Sequence, residues 1–132
     1  MARAAPPDFD ATPASLRALA RSYPRGLHIE PHSHDWGQVL YAMSGVMWLE
    51  TPSEALLVPP NRAVWLPPQV PHGIRVVSEL QMRNIYLRPG TADALSEQVQ
   101  AFEVGGLLRE LIVRLVEHER EPDTDYYQAL SQ

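Results

Sequence analysis

The chain contains no cysteine and, among its 11 basic residues, no lysine. The first absence excludes disulfides and thiolate metal ligands, and it is compatible with a reducing, cytoplasmic setting. The second leaves single arginines dispersed among 16 acids, with a formal net charge of −5. A domain that grips nucleic acid by itself carries a clustered basic face, because neutralising phosphates drives that affinity. No such cluster stands in this sequence. Long apolar runs are missing too: none approaches the roughly 20 residues needed to cross a bilayer, so no membrane partner is expected. The opening MARAAPPDFDATPAS has an early arginine but no apolar block after it, and is not expected to act as a secretory signal.

What the chain has in quantity is proline (13) and an ordinary apolar fraction of 45%, spread over 132 residues. That length suits one domain, and frequent turn residues between apolar stretches suit many short strands. Residues 1–14 lack periodicity and read as a flexible arm. Residues 15–23 fit either a helix or a strand that feeds a barrel. From Gly26 onward GLHIEPHSH, QVLYAMS, VMWLET, ALLV, AVWL, HGIRVVS and LQMRNIYLR succeed one another, separated by Ser-Gly and Pro-Pro punctuation. Such spacing predicts a sandwich or barrel over 15–90. After Pro89-Gly90 the pattern turns helical. TADALSEQVQAF reads as one helix, and Val104, Leu107, Leu108, Leu111, Ile112, Leu115 and Val116 recur at helical spacing over 104–120. The apolar face of that second helix is wide enough to cover the barrel and meet another subunit. The closing DTDYYQALSQ reads as the opening turn of a further helix, as in a fragment of something longer.

Four of the five histidines fall between positions 28 and 72. His32 and His34 are two apart, which on a strand puts both rings on one side. Gln38 follows, and His72 opens a later strand just after a proline. Neutral imidazoles are common ligands of divalent first-row metals, and three of them with an oxygen donor make a reasonable site. The other reading, a polar pocket without metal, stays open. His28 and Glu30 share the strand phase of His32 and His34, and are expected to pack or to support them. His118 is expected to be exposed at a helix end. Gln38, Met43 and Trp48 are candidate ligand contacts, although Trp48 and its neighbours Met47 and Leu49 must face opposite ways.

The spacing Gly26-x5-His32-x-His34-x3-Gln38-x6-Gly45 resembles the first cupin motif, with Gln38 where that motif usually has Glu. Asn61-x5-Pro67-x-Gln69-x2-His72-x3-Val76 resembles the second, with Asn61 and Gln69 in place of its glycines and Val76 in place of its final Asn. The resemblance implies a mainly β, jelly-roll-like cupin barrel followed by two or more C-terminal helices. It also implies a divalent transition metal (Zn, Ni, Fe or Mn) on His32, His34 and His72, with Gln38 as a weakened fourth donor. A neutral amide brings no negative charge to a dication and cannot serve as a general base.

The longer phrases HSHDWGQVLYAMSGVMWLET, VPPNRAVWLPPQVPHGIRV and MRNIYLRP, followed by GGLLRELIVRLVEH, resemble the N-terminal sensor domain of AraC-type transcription regulators. That resemblance implies a small-molecule effector in the barrel and no catalysis. It further implies a homodimer through the 104–120 helix within a dimerisation segment over 91–132. DNA would be bound only through a C-terminal helix-turn-helix part, of which no pattern follows residue 120. The alternative is a stand-alone metal-dependent cupin enzyme, a dioxygenase or isomerase.

Overall fold

Alternating apolar residues set the strand faces, and turn residues cut the strands short. The computed structural model describes residues 16–92 and 95–117. In chain order they form β1 (Leu16–Tyr23), β2 (His28–His32), β3 (Gly37–Ser44), β4 (Met47–Glu50), β5 (Ala55–Val58), β6 (Arg62–Leu66), β7 (His72–Val76), β8 (Leu80–Leu87), a single helical turn α1 (Pro89–Ala92) and β9 (Gln100–Glu103). A helix, α2, occupies 106–117. The strands make a five-stranded sheet, β1-β8-β3-β6-β9, and a four-stranded sheet, β2-β7-β4-β5, with all neighbours antiparallel.

The two sheets face each other across one core. Leu40 and Ala42 of β3, Val64 and Leu66 of β6, and Leu80 and Met82 of β8 meet Ile29, Met47, Leu49, Val58, Ile74 and Val76 from the smaller sheet. The period of two then puts Val39, Tyr41 and Met43 on the outer face of β3. That face is also covered: Val104 and Ile112 pack there with Tyr41 and Ala63, and Val39, Met43, Ile85 and Phe102 border them. Strand β3 is therefore packed on both sides, which explains its nearly unbroken apolar sequence.

Gly45 ends β3 with a φ of +86°, and a Cβ there would lie 2.1 Å from the Glu79 carbonyl oxygen. Both backbone sign and space demand glycine at this turn. Left-handed backbone also occurs at Asn61 (φ 68°) and Gln69 (φ 72°). These are the two places where the second cupin motif has glycine.

Three sequence expectations are corrected. Among the described residues of 91–102 only the end of α1 is helical, and Gln100–Glu103 instead pairs with Arg62–Trp65 as an edge strand. The Trp65 indole N–H, donating to the Ser96 carbonyl at 2.7 Å, helps hold this return to the sheet. Among the described residues one C-terminal helix longer than a turn follows the barrel, not two. His28 and Glu30 do not share the facing of His32. The β2–β7 register runs Ile29↔Ile74 and then His32↔His72, so a bulge at Glu30-Pro31 resets the phase. Proline suits that bulge because it has no N–H to lose from the ladder. Of the ambiguous 15–23 stretch, Leu16–Tyr23 forms strand β1. The arm, His118 and the closing DTDYYQALSQ lie outside the described residues.

Candidate metal centre

The bulge in β2 brings His32 opposite His72, and the turn after β2 folds His34 back over both. Ring centroids are 4.6 Å apart for His32–His72, 5.0 Å for His34–His72 and 5.8 Å for His32–His34. One nitrogen from each of the three rings lies within 4.8 Å of the other two. Three donors held about 2.0–2.1 Å from a common tetrahedral ion sit about 3.4 Å apart. Closing on an ion therefore needs ring movements of up to about 1 Å.

Hydrogen bonding fixes which nitrogens converge. Each Nδ1 lies beside a backbone carbonyl, which can only accept: His34 Nδ1 at 2.9 Å from the Trp36 oxygen, His72 Nδ1 at 2.9 Å from Val70, and His32 Nδ1 at 3.2 Å from Glu30. The proton of each neutral imidazole is thereby held on Nδ1, and the Nε2 lone pair is left for the pocket. A ring N–H given to a carbonyl is how metal-binding histidines are usually oriented. Burial pushes the pKa of His72 down to about 4 and lowers that of His34, so both are neutral at ordinary pH and ready to coordinate.

Gln38 enters from β3, buried, with its Oε1 3.1 Å from His34 Nε2. Its amide nitrogen donates to Asn84 Oδ1 at 3.0 Å and to the Tyr86 hydroxyl at 3.4 Å. This setting aims a carbonyl oxygen at the imidazole lone pair, an arrangement a cation between them would satisfy. Turning the Gln38 and Asn84 amides by 180° presents an N–H to His34 instead. Gln38 can thus satisfy the pocket with or without a cation, which a carboxylate cannot do.

The remaining walls are Tyr23, Ile29, Ile74 and Met82, and the room inside is about 10 Å³. That is about one water-sized group, far below the several hundred Å³ of typical organic-ligand sites. Trp36 stacks on His34 at 4.7 Å and 10°, closing one side. A larger, open groove of about 580 Å³ lies outside, between loops 51–54, 68–71 and 97–99. The 68–71 loop touches both places: Gln69 N–H donates to the His34 carbonyl at 2.8 Å, and the Val70 carbonyl holds His72.

His32, His34, Gln38 and His72 are thus brought together, whereas Trp48 and Met43 are not. Trp48 lies on the outer face of the smaller sheet, 39% exposed, because its neighbours Met47 and Leu49 take the core. Met43 lies on the outer face of β3, under the C-terminal segment. Strand phase keeps both out of the lining of this pocket. Asn84 was missed by sequence reasoning. Its signal was a polar residue in the inward phase of LQMRNIYLR, flanked by Met82 and Tyr86.

This double sheet with histidines inside one end defines a cupin. Solved structures agree at the level of fold. KdgF from a Halomonas species is 24% identical with a TM-score of 0.54, covering 61% of this chain and 76% of that one. An RmlC-like cupin from Shewanella frigidimarina is 20% identical with a TM-score of 0.53, covering 61% and 72%. Within that fold the chain belongs to the AraC-like ligand-binding domain family, whose model matches residues 13–130. It is similar to the HTH-type transcriptional regulator NimR of Escherichia coli (strain K12), 29% identical over 84 residues. That match covers 64% of this chain and 30% of the regulator's length.

Proposed function

We propose that this ligand-binding domain is the effector-sensing and dimerising part of an AraC-type transcriptional regulator. In this reading a divalent transition metal (Zn, Ni, Fe or Mn) sits on His32, His34 and His72, with Gln38 as a fourth, neutral donor. The observation that carries the metal is the convergence of three imidazoles whose Nδ1 protons are all held by backbone carbonyls. When bound, the metal would supply a Lewis-acidic anchor for an effector.

Strand β3 offers a route from the pocket to the C-terminal helix. Gln38 lies on its inner face, while Tyr41, on its outer face, packs with Val104 and Ile112. The outward side of α2 exposes Leu107 (79%), Leu111 (52%), Leu108 and Leu115, whereas Ile112 and Val116 are buried against the barrel. A second copy of this helix is the partner this reading gives that leucine stripe. A ligand moves such an assembly only as far as it binds one arrangement more tightly than the other. DNA contact falls to a separate part of the regulator, and the working compartment is the cytoplasm. Among the described residues no helix is long and apolar enough to cross a membrane.

Equilibrium dialysis of the metal-stripped protein against Zn(II) tests the centre. About one ion per chain is expected in the wild type, with strong loss of binding in His34→Ala. Equal, weak binding by both proteins would remove the metal from this account.

The three histidines also favour a second reading, a metal-dependent enzyme. A structure of the Mn(II)-containing oxalate decarboxylase of Bacillus subtilis is similar at 16% identity, with a TM-score of 0.51, covering 67% of this chain and 24% of that one. Against it stands Gln38, which cannot move a proton as a carboxylate would. The sensor reading expects no turnover in an oxygen-uptake assay with Fe(II); turnover lost in His34→Ala would revive the enzyme.

A further inference from the structure

Resting on the reading that His32, His34 and His72 hold a dication, we propose that the pocket takes up its metal together with an anion, and that the effector is recognised through a carboxylate head group. Charge balance carries the inference. Three neutral imidazoles and one amide leave the full +2 of a metal uncompensated. The surroundings are buried and carry no charge: His72, Gln38 and Asn84 are at most 5% exposed, and Tyr23, Tyr86, Ile29, Ile74 and Met82 complete the wall. A charge in such a place is costly unless it is paired.

No acid of the described residues shares the cluster, which consists of the three histidines alone. The acids close in sequence are engaged elsewhere. Asp35 accepts from Gln69 Nε2 at 2.6 Å. Glu30 and Glu50 both lie beside His28, outside the bulge, at 3.7 and 3.3 Å. Arg21 interacts with Tyr23 and Tyr86 in the sense that favours their ionised forms, although burial outweighs it.

Size then selects the kind of anion. The enclosed room of about 10 Å³ is taken by the ion itself and excludes a whole organic molecule, so an anion can reach the metal only with a small head group from the open side. A carboxylate oxygen fits that description. His32 and His34 are only half-buried, so they mark the open side by which the head group enters while the rest of the molecule stays outside. The two ligands are then linked: whatever factor the anion adds to metal affinity, the metal adds to anion affinity. Neither component alone would fill the site efficiently, so the pair acts as one signal.

The test uses Co(II) as the metal, acetate as the anion and acetamide as its neutral isostere at matched ionic strength. Acetate should change the visible Co(II) spectrum saturably and tighten Co(II) binding about tenfold or more, within the usual range of coupling between sites; acetamide should do neither. Gln38→Glu, which supplies the charge internally, should bind Co(II) more tightly without acetate and lose most of the acetate response. If acetate and acetamide act alike on the wild type, the anion proposal is overturned while the metal centre stands. If the wild type binds no Co(II) under any condition, the metal reading fails and the proposal fails with it.

Discussion

Acidifying the metal-free protein from pH 7 to pH 5 should remove about 2 kcal/mol of stability through His72 alone. His72 is 2% exposed, and burial, opposed in part by its bond to the Val70 carbonyl, pushes its pKa from 6.5 down to about 4. The unfolded chain therefore takes up the proton at a higher pH than the folded chain does. Stability from this group is complete above about pH 6.5, declines as the pH falls, and stops changing below about pH 4. The whole displacement corresponds to about 3 kcal/mol, of which about 2 falls between pH 7 and pH 5. His34 is shifted in the same direction and adds to the slope. Urea unfolding in the presence of a chelator at pH 7, 6 and 5 measures it, with His72→Gln as the comparison. The variant starts less stable but should lack most of this slope. Parallel stability–pH curves for the two proteins would refute the reasoning, because they would mean that the folded pocket protonates His72 as readily as water does.

Two further outcomes bear on the fold and the assembly. Leu111→Glu combined with Leu115→Glu places two charges on the exposed side of α2, where the leucines are 52% and 37% exposed. Light scattering should report a monomer, and a persistent dimer would mean that this stripe is not the interface. Gly45→Ala forces an L side chain to a φ of +86° and drives its Cβ to 2.1 Å from the Glu79 carbonyl. Strain of about 1–2 kcal/mol from the backbone alone, plus the displacement of Glu79, should lower stability by at least about 2 kcal/mol. A loss under about 0.5 kcal/mol in urea unfolding would show that the turn relaxes at little cost.

Much of the barrel was legible because strand phase is a local property. Alternation in β8 and the unbroken apolar run of β3 report directly which side each residue faces, and Pro-Pro pairs mark where β5 and β6 stop. The segment after Pro89 was not. In TADALSEQVQAF the spacing of Leu95, Val99 and Phe102 fits a helix, yet Phe102 packs under the barrel from strand β9. What decides is the open edge of β6, which offers its backbone groups to Gln100–Glu103. A long-range edge of that kind leaves no trace in the local period.

The site was legible at the level of residue types and failed at the level of phase. Spacing, read together with the resemblance to the cupin motifs, singled out His32, His34, Gln38 and His72, and the turns that bring them together depend on backbone sign at a few places. Gly26 and Gly45 supply a positive φ without strain, and Asn61 and Gln69 adopt it despite their side chains. Each of the latter is held by a bond of its own, Asn61 Oδ1 accepting from the Tyr41 hydroxyl and Gln69 Nε2 donating to Asp35. Side-chain hydrogen bonds thus do at these turns what glycine does by absence of a Cβ, and the motif survives two of its glycines. Phase was lost at the Glu30-Pro31 bulge. One extra residue there turns His28 outward to Glu50 and His32 inward to His72, and without it the same sequence would present His28 and Glu30 on the side of His32. Bulge placement depends on the partner strand, here on Gly73, where a Cβ would come within 2.9 Å of the Ile29 carbonyl. The histidine cluster is therefore assembled by a glycine some forty residues away in sequence as much as by the histidines' own spacing.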